Sequence, residues 1–104
     1  MTITTTETVP GKEITEILGI SRGSVVRAKS IGNDFMAGLK NIIGGEVQEY
    51  TKLQAEAREQ AIVRMQKDAE ELGADAIVNV RFESSTIAAG MSELMAYGTA
   101  VKLK

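Results

Sequence analysis

The sequence predicts an α+β fold: a mainly antiparallel sheet packed on one long helix, with a short helix beside it. Three observations point there. Tyr50, Leu53, Ala57, Ala61, Met65, Ala69 and Leu72 step by three or four residues, the spacing of one helical face. After Gly73 the period changes to two, which is the signature of strands. Before residue 30 the chain is rich in Ile, Val and Thr with no helical period, as β segments are.

Taken in order, Thr2 to Thr8 reads as a short first strand, closed by a turn at Pro10-Gly11. Glu13 to Lys29 carries Ile14, Ile17, Leu18, Ile20, Val25 and Val26 interrupted by Gly19 and Gly23. That pattern gives a long strand bent or bulged at the glycines, or two strands. Asn33 and Asp34 are N-cap types ahead of Phe35, Met36, Leu39, Ile42 and Ile43, a short amphipathic helix stopped by Gly44-Gly45. The long helix runs from about Glu46 to Leu72, and Gly73 stands where a left-handed residue ends it. Val78, Val80 and Phe82 then share one face of a strand over Ala76–Ser85, with Asn79, Arg81 and Glu83 on the other. Ser84 to Ser92 forms the connection. Met95, Tyr97, Thr99, Val101 and Leu103 alternate along a last strand that pairs antiparallel with the previous one.

Length and composition set bounds on this plan. A chain of 104 residues fits one domain spanning residues 1–104, and such a domain buries about 60–70% of its unfolded surface. Its only aromatic residues are Phe35, Tyr50, Phe82 and Tyr97, so the core rests on aliphatic side chains and gains from neighbouring subunits. A formal charge of −2 provides no positive field for nucleic acid or anionic lipid. No run of apolar residues is long enough to span a bilayer, no export signal is visible at the N-terminus, and there is no cysteine. The expectation is a soluble, cytoplasmic protein with no nucleic-acid or membrane partner.

The chemistry available is narrow. Without His or Cys there is no Ser–His or Cys–His nucleophile, no structural zinc or copper set, and no residue marked as catalytic. Glu49, Glu56, Glu59, Asp68, Glu70 and Glu71 read as solvated charges on the helix. Gly44-Gly45 ahead of a helix suggests a phosphate cradle, but Glu46 already occupies the positive end of the dipole, and a sharp inter-helix turn explains the pair better. Met36, Met65, Met91 and Met95 are soft donors at positions where Met ordinarily fills core. No metal site and no cofactor are expected. The polar strand face Asn79, Arg81, Glu83 meets water, a subunit or a ligand, solvent or subunit packing being the simpler reading.

Several segments together resemble the YbjQ-like family of small bacterial and archaeal proteins of unknown function. They are Asn41-Ile42-Ile43-Gly44-Gly45-Glu46, Tyr50, Ala57-Arg58, Arg64-Met65, Leu72-Gly73-Ala74-Asp75-Ala76-Ile77-Val78 and Ala96-Tyr97-Gly98-Thr99-Ala100-Val101. No segment is diagnostic alone; their order and spacing make the set specific over nearly the whole chain. The resemblance implies a dodecin-like subunit whose sheet joins its neighbours in a closed homopentamer, and it brings no established activity. The family's heavy-metal-binding label finds no thiol or imidazole here. In such a ring, Gly98 and Ala100 give the last strand a flat face for close packing between subunits.

Three functional readings follow. The leading one is a non-enzymatic homo-oligomeric binding or scaffold protein with an unidentified ligand, whose candidate contacts are Glu46, Arg58, Asn79, Arg81, Glu83 and Tyr97. The second is an enzyme with a carboxylate, Arg and Tyr site at a subunit boundary, drawn from Glu46, Arg58, Arg81, Glu83 and Tyr97. The third, metal binding or sensing, needs a carboxylate and Met cluster at a symmetry axis.

Overall fold

A computed structural model describes residues 1–28 and 48–104. The short helix over Asn33–Ile43, the Gly44-Gly45 turn and Glu46 lie outside the described residues. The elements are β1 (Thr2–Ile3), β2 (Ile14–Ala28), α1 (Gln48–Glu71), β3 (Ala76–Ala88) and β4 (Met91–Leu103). They form a four-stranded sheet in the order β1-β3-β4-β2. β1 runs parallel to β3, and both other pairings are antiparallel. The α+β class read from the two periods therefore stands, as a mixed sheet packed against one long helix.

Helix α1 lies against one face of the sheet, the inner face, mainly over β2 and β4. Ala57, Ala61, Met65 and Ala69 recur every fourth residue and are buried there with Val25, Ile77, Val80, Ala96 and Ala100. Leu53 and Leu72, on the same sequence period, stay largely exposed. Apart from Met65 the stripe is alanine, so helix and sheet approach closely. At Gly23 a Cβ would intrude on the Ala61 carbonyl oxygen and the Met65 amide nitrogen. Gly23 is thus a contact point for the helix, and the sequence expectation of a bulge at this glycine is corrected. One irregularity falls between Ile17 and Gly19, at the other glycine as expected, a second between Ile14 and Glu16, and β2 is one continuous strand.

The helix closes as expected. Gly73 has φ 79°, its N–H donates to Glu70 O (3.0 Å), and Ala74 N–H donates to Ala69 O (3.0 Å). These are the two bonds of a Schellman ending, with Ala74 packing back on the inner core.

β3 departs from simple alternation. Val78 pairs with Thr99 and Arg81 with Tyr97, so three steps on β3 oppose two on β4, and Asn79 sits in this bulge at φ 55°. One extra residue reverses the facing of everything beyond it. Ile77 and Val80 belong to the inner core, whereas Ala76 and Val78 join Val101 in a second cluster on the outer face, under Val9, Ile14 and Leu103. Val78, Val80 and Phe82 therefore do not share a face, contrary to the period-two reading. Gly98 lies on the inner face opposite the bulge, where a Cβ would crowd Ile77 Cγ2 and Val78 O, at 2.7 and 2.9 Å. It is buried inside the subunit, so the flat surface expected for packing between subunits is a core contact instead.

Two further boundaries move. β1 is only two residues long, but Thr4 N–H donates to Ile77 O, and the carbonyls of Thr4 and Thr6 accept from Val80 and Asn79, each at 3.0 Å. The N-terminal segment thus follows β3 as far as its bulge. At the other end, Ser84, Ser85 and Thr86 resemble loop residues but pair with Leu94, Glu93 and Ser92, leaving Ala89-Gly90 as the turn. Cross-strand bonding overrides the loop reading of the two serines, and the β-branched Thr86 suits a strand.

Candidate functional site on the open sheet face

Among the described residues, nothing covers the outer face of the sheet beyond the Val9 cluster. Register places its side chains in cross-strand rows. Arg22, Tyr97 and Arg81 form one row, and Ser24, Met95 and Glu83 form the next. Ile20 precedes Arg22 on the same face, opposite Thr99. Ile20, Arg22, Glu83, Met95 and Tyr97 together line a shallow depression of about 300 Å3. Its floor is the half-buried pair Met95 and Tyr97 on the central strand, while Arg22 and Glu83 stand exposed on opposite sides.

Among the described residues, Arg81 is the engaged charge of this group. Arg81 donates from Nη1 to Thr5 O (3.1 Å) and to Val80 O (2.8 Å), which ties it to the backbone. Among the described residues, neither the Arg22 side chain, nor the Glu83 carboxylate, nor the Tyr97 hydroxyl has a hydrogen-bond partner there. The single ion pair among the described residues is Lys102–Asp75, far along the sheet at Leu103 and Ala76.

The opposite situation holds where the helix meets β2. Asp68 Oδ2 accepts the Arg22 backbone N–H (3.1 Å), Arg64 donates to Ser24 O, and Arg27 donates to Gln60 Oε1 (3.1 Å). The buried Ser21 hydroxyl donates to Met65 O (2.6 Å). Asp68 and Arg64 thus occupy two backbone groups of an edge strand, at Arg22 and Ser24, blocking further strand pairing there. Asp68, read from sequence as a solvated charge, is part of that cover.

Of the residues singled out from sequence, the structure brings Arg81, Glu83 and Tyr97 to one face, with Asn79 in the bulge beside them. Arg58 is exposed on α1, on the other side of the sheet, and shares no site with them. Glu46 lies outside the described residues. Sequence reasoning missed Ile20, Arg22 and Met95. The alternation of Ile20, Arg22, Ser24 and Val26 carried the information, but the irregularities near Thr15 and Leu18 hide its register against β4.

Comparison with known proteins places the whole chain in a family. Residues 1–104 match the model of the YbjQ family, described as "Putative heavy-metal-binding". The chain belongs to the YbjQ-like family. A UPF0145 protein of Archaeoglobus fulgidus is 60% identical over 98% of this chain and 94% of its own length. One from Psychromonas ingrahamii is 60% identical over 100% and 99%. One from Methanosarcina acetivorans is 57% identical over 99% and 97%. The fold is matched by a crystal structure of a protein of unknown function in the DUF74 family from Pediococcus pentosaceus. Its TM-score is 0.62 at 16% identity, covering 100% of this chain and 98% of that one.

Among the described residues, nothing fits the metal in the YbjQ family's description. This member has no thiol and no imidazole, and among the described residues no three carboxylates gather as a metal set. Met65 is buried on the inner face and Met95 lies on the outer one, so their sulfurs do not converge. No helix among the described residues is long and apolar enough to cross a membrane.

Proposed function

We propose that residues 1–104 act as one domain of a non-enzymatic, homo-oligomeric binding or scaffold protein, assembled as a closed ring of five in the cytoplasm. The observation that carries this reading is the edge of β3. Beyond the bulge, no described residue pairs with its outward side, and every residue from Arg81 to Gly90 is exposed. Phe82 and Ile87 are 44% and 54% exposed on that segment. A long edge carrying apolar side chains and neither Pro nor Lys is the kind proteins normally cover.

A second open stretch complements it. On β2, α1 side chains bond the backbone of Arg22 and Ser24, but no described residue bonds the outward backbone of Thr15 to Ile20. The two stretches lie on opposite edges and at opposite ends of the sheet. A contact between them is heterologous, and heterologous contacts close into rings when the rotation allows. Five subunits is the number that the YbjQ-like resemblance implies. A ring built on edges leaves the outer face, with Arg22, Glu83 and Tyr97, free for a ligand. Absence of cysteine suits a reducing compartment.

Native mass spectrometry of protein purified without chelator tests the reading. The expected spectrum shows a pentamer; a monomer at the same protein concentration overturns the assembly.

A further inference from the structure

We propose that the depression on the outer face binds a small zwitterion whose ammonium and carboxylate are separated by an aliphatic spacer, an ω-amino acid. This rests on the reading of the chain as a binding protein and names its ligand class, but it does not depend on the ring. Arg22 on β2 and Glu83 on β3 flank the same depression and are not within ion-pair distance of each other. Two strand spacings separate β2 from β3, about 10 Å laterally, with β4 between them. The Arg22 guanidinium is a planar donor suited to a carboxylate, and Glu83 is an acceptor suited to an ammonium.

What lies between the charges decides the spacer. Met95 and Tyr97 form the floor and Ile20 a wall, so the middle of the depression is apolar apart from the phenol hydroxyl. A ligand with both charges on one carbon reaches only one side. A single anion or cation leaves one protein charge unanswered beside an apolar surface. A chain of several methylenes with unlike ends satisfies Arg22 and Glu83 together and lays its spacer on Met95. The volume of about 300 Å3 is at the small end for ligand sites, which suits a molecule of this size.

The test uses 5-aminopentanoate, with pentanoate and pentylamine as one-charge controls, followed by chemical-shift mapping of the full chain. The expected result is saturable shifts at Ile20, Arg22, Glu83, Met95 and Tyr97, with each control weaker by about tenfold or more. Arg22→Gln and Glu83→Gln should each cost a similar factor, while Arg58→Gln, on the helix, changes nothing. Controls that bind as tightly as the zwitterion, variants that bind unchanged, or the absence of any saturable shift would overturn the proposal. The native mass separates this outcome from the assembly: a pentamer without shifts removes the ligand class and keeps the ring. A monomer with shifts does the reverse.

Discussion

On β4 the inner-face residues Ala96, Gly98 and Ala100 are buried, while their outer-face neighbours Met95, Tyr97 and Thr99 are only half-buried. Size alone suggests the reverse, since larger apolar side chains usually gain more from burial. The difference is the helix. Small residues on β2, β4 and α1 let α1 settle directly on the strands, and close packing then removes water from everything beneath it. Among the described residues, the outer face has only the Val9 cluster at one end, so its larger residues remain available to a ligand or a neighbour. Away from the Val9 cluster, burial on this sheet follows proximity to α1.

The contrast can be broken most sharply at Gly23. Gly23→Val places a branched side chain against the backbone of Ala61 and Met65, which cannot yield without moving the helix. Overpacking of this kind costs about 3 kcal/mol, at the upper end of its usual range, whereas Ile20→Val three residues earlier on the outer face should change stability by roughly 0.5 kcal/mol or less. Urea denaturation midpoints measure both. Equal losses would show that the two faces are not distinguished by the helix.

A smaller effect is expected at the residue that divides β3 between the faces. Asn79 occupies the left-handed region, which Asn tolerates and branched residues do not. Asn79→Val should cost about 1–2 kcal/mol, and Asn79→Gly should stay within roughly 0.5 kcal/mol of the parent. The same denaturation series distinguishes them; a neutral valine would mean that the bulge relaxes into regular pairing and that Val78 and Val80 come to share a face.

Residue 79 also marks how far the sequence can be read. The helix was legible because Ala57, Ala61, Met65 and Ala69 keep one period and Gly73 ends it with a conformation few other residues adopt. The final strand was legible because its alternation is unbroken from Met95 to Leu103. In β3 the same rule fails after Val78, since nothing in Asn-Val-Arg-Phe announces an extra residue in the pairing. The partner strand holds a trace of it: Gly98, opposite the bulge, is the one inner-face position on β4 without a side chain.

The candidate site was legible in part for the same reason. Arg81, Glu83 and Tyr97 lie on strands whose polar alternation is visible, and their grouping survives because all three follow the bulge. Arg22 was hidden, as its alignment with Tyr97 depends on two irregularities earlier in β2. Asp68 and Ser21 were hidden for another reason. Their roles come from the helix meeting an edge strand, a tertiary fact that no local spacing encodes.

The central claim is that the open edge of β3 is where subunits join, and amide hydrogen exchange on the native protein tests it most directly. The amides of Phe82–Ala88 that do not bond to β4 are the informative ones, because a lone subunit leaves them facing water. The account predicts that they exchange as slowly as the β4-bonded amides of the same strand. Fast exchange of those amides in a protein that runs as an oligomer would contradict it, placing the joint elsewhere on the molecule.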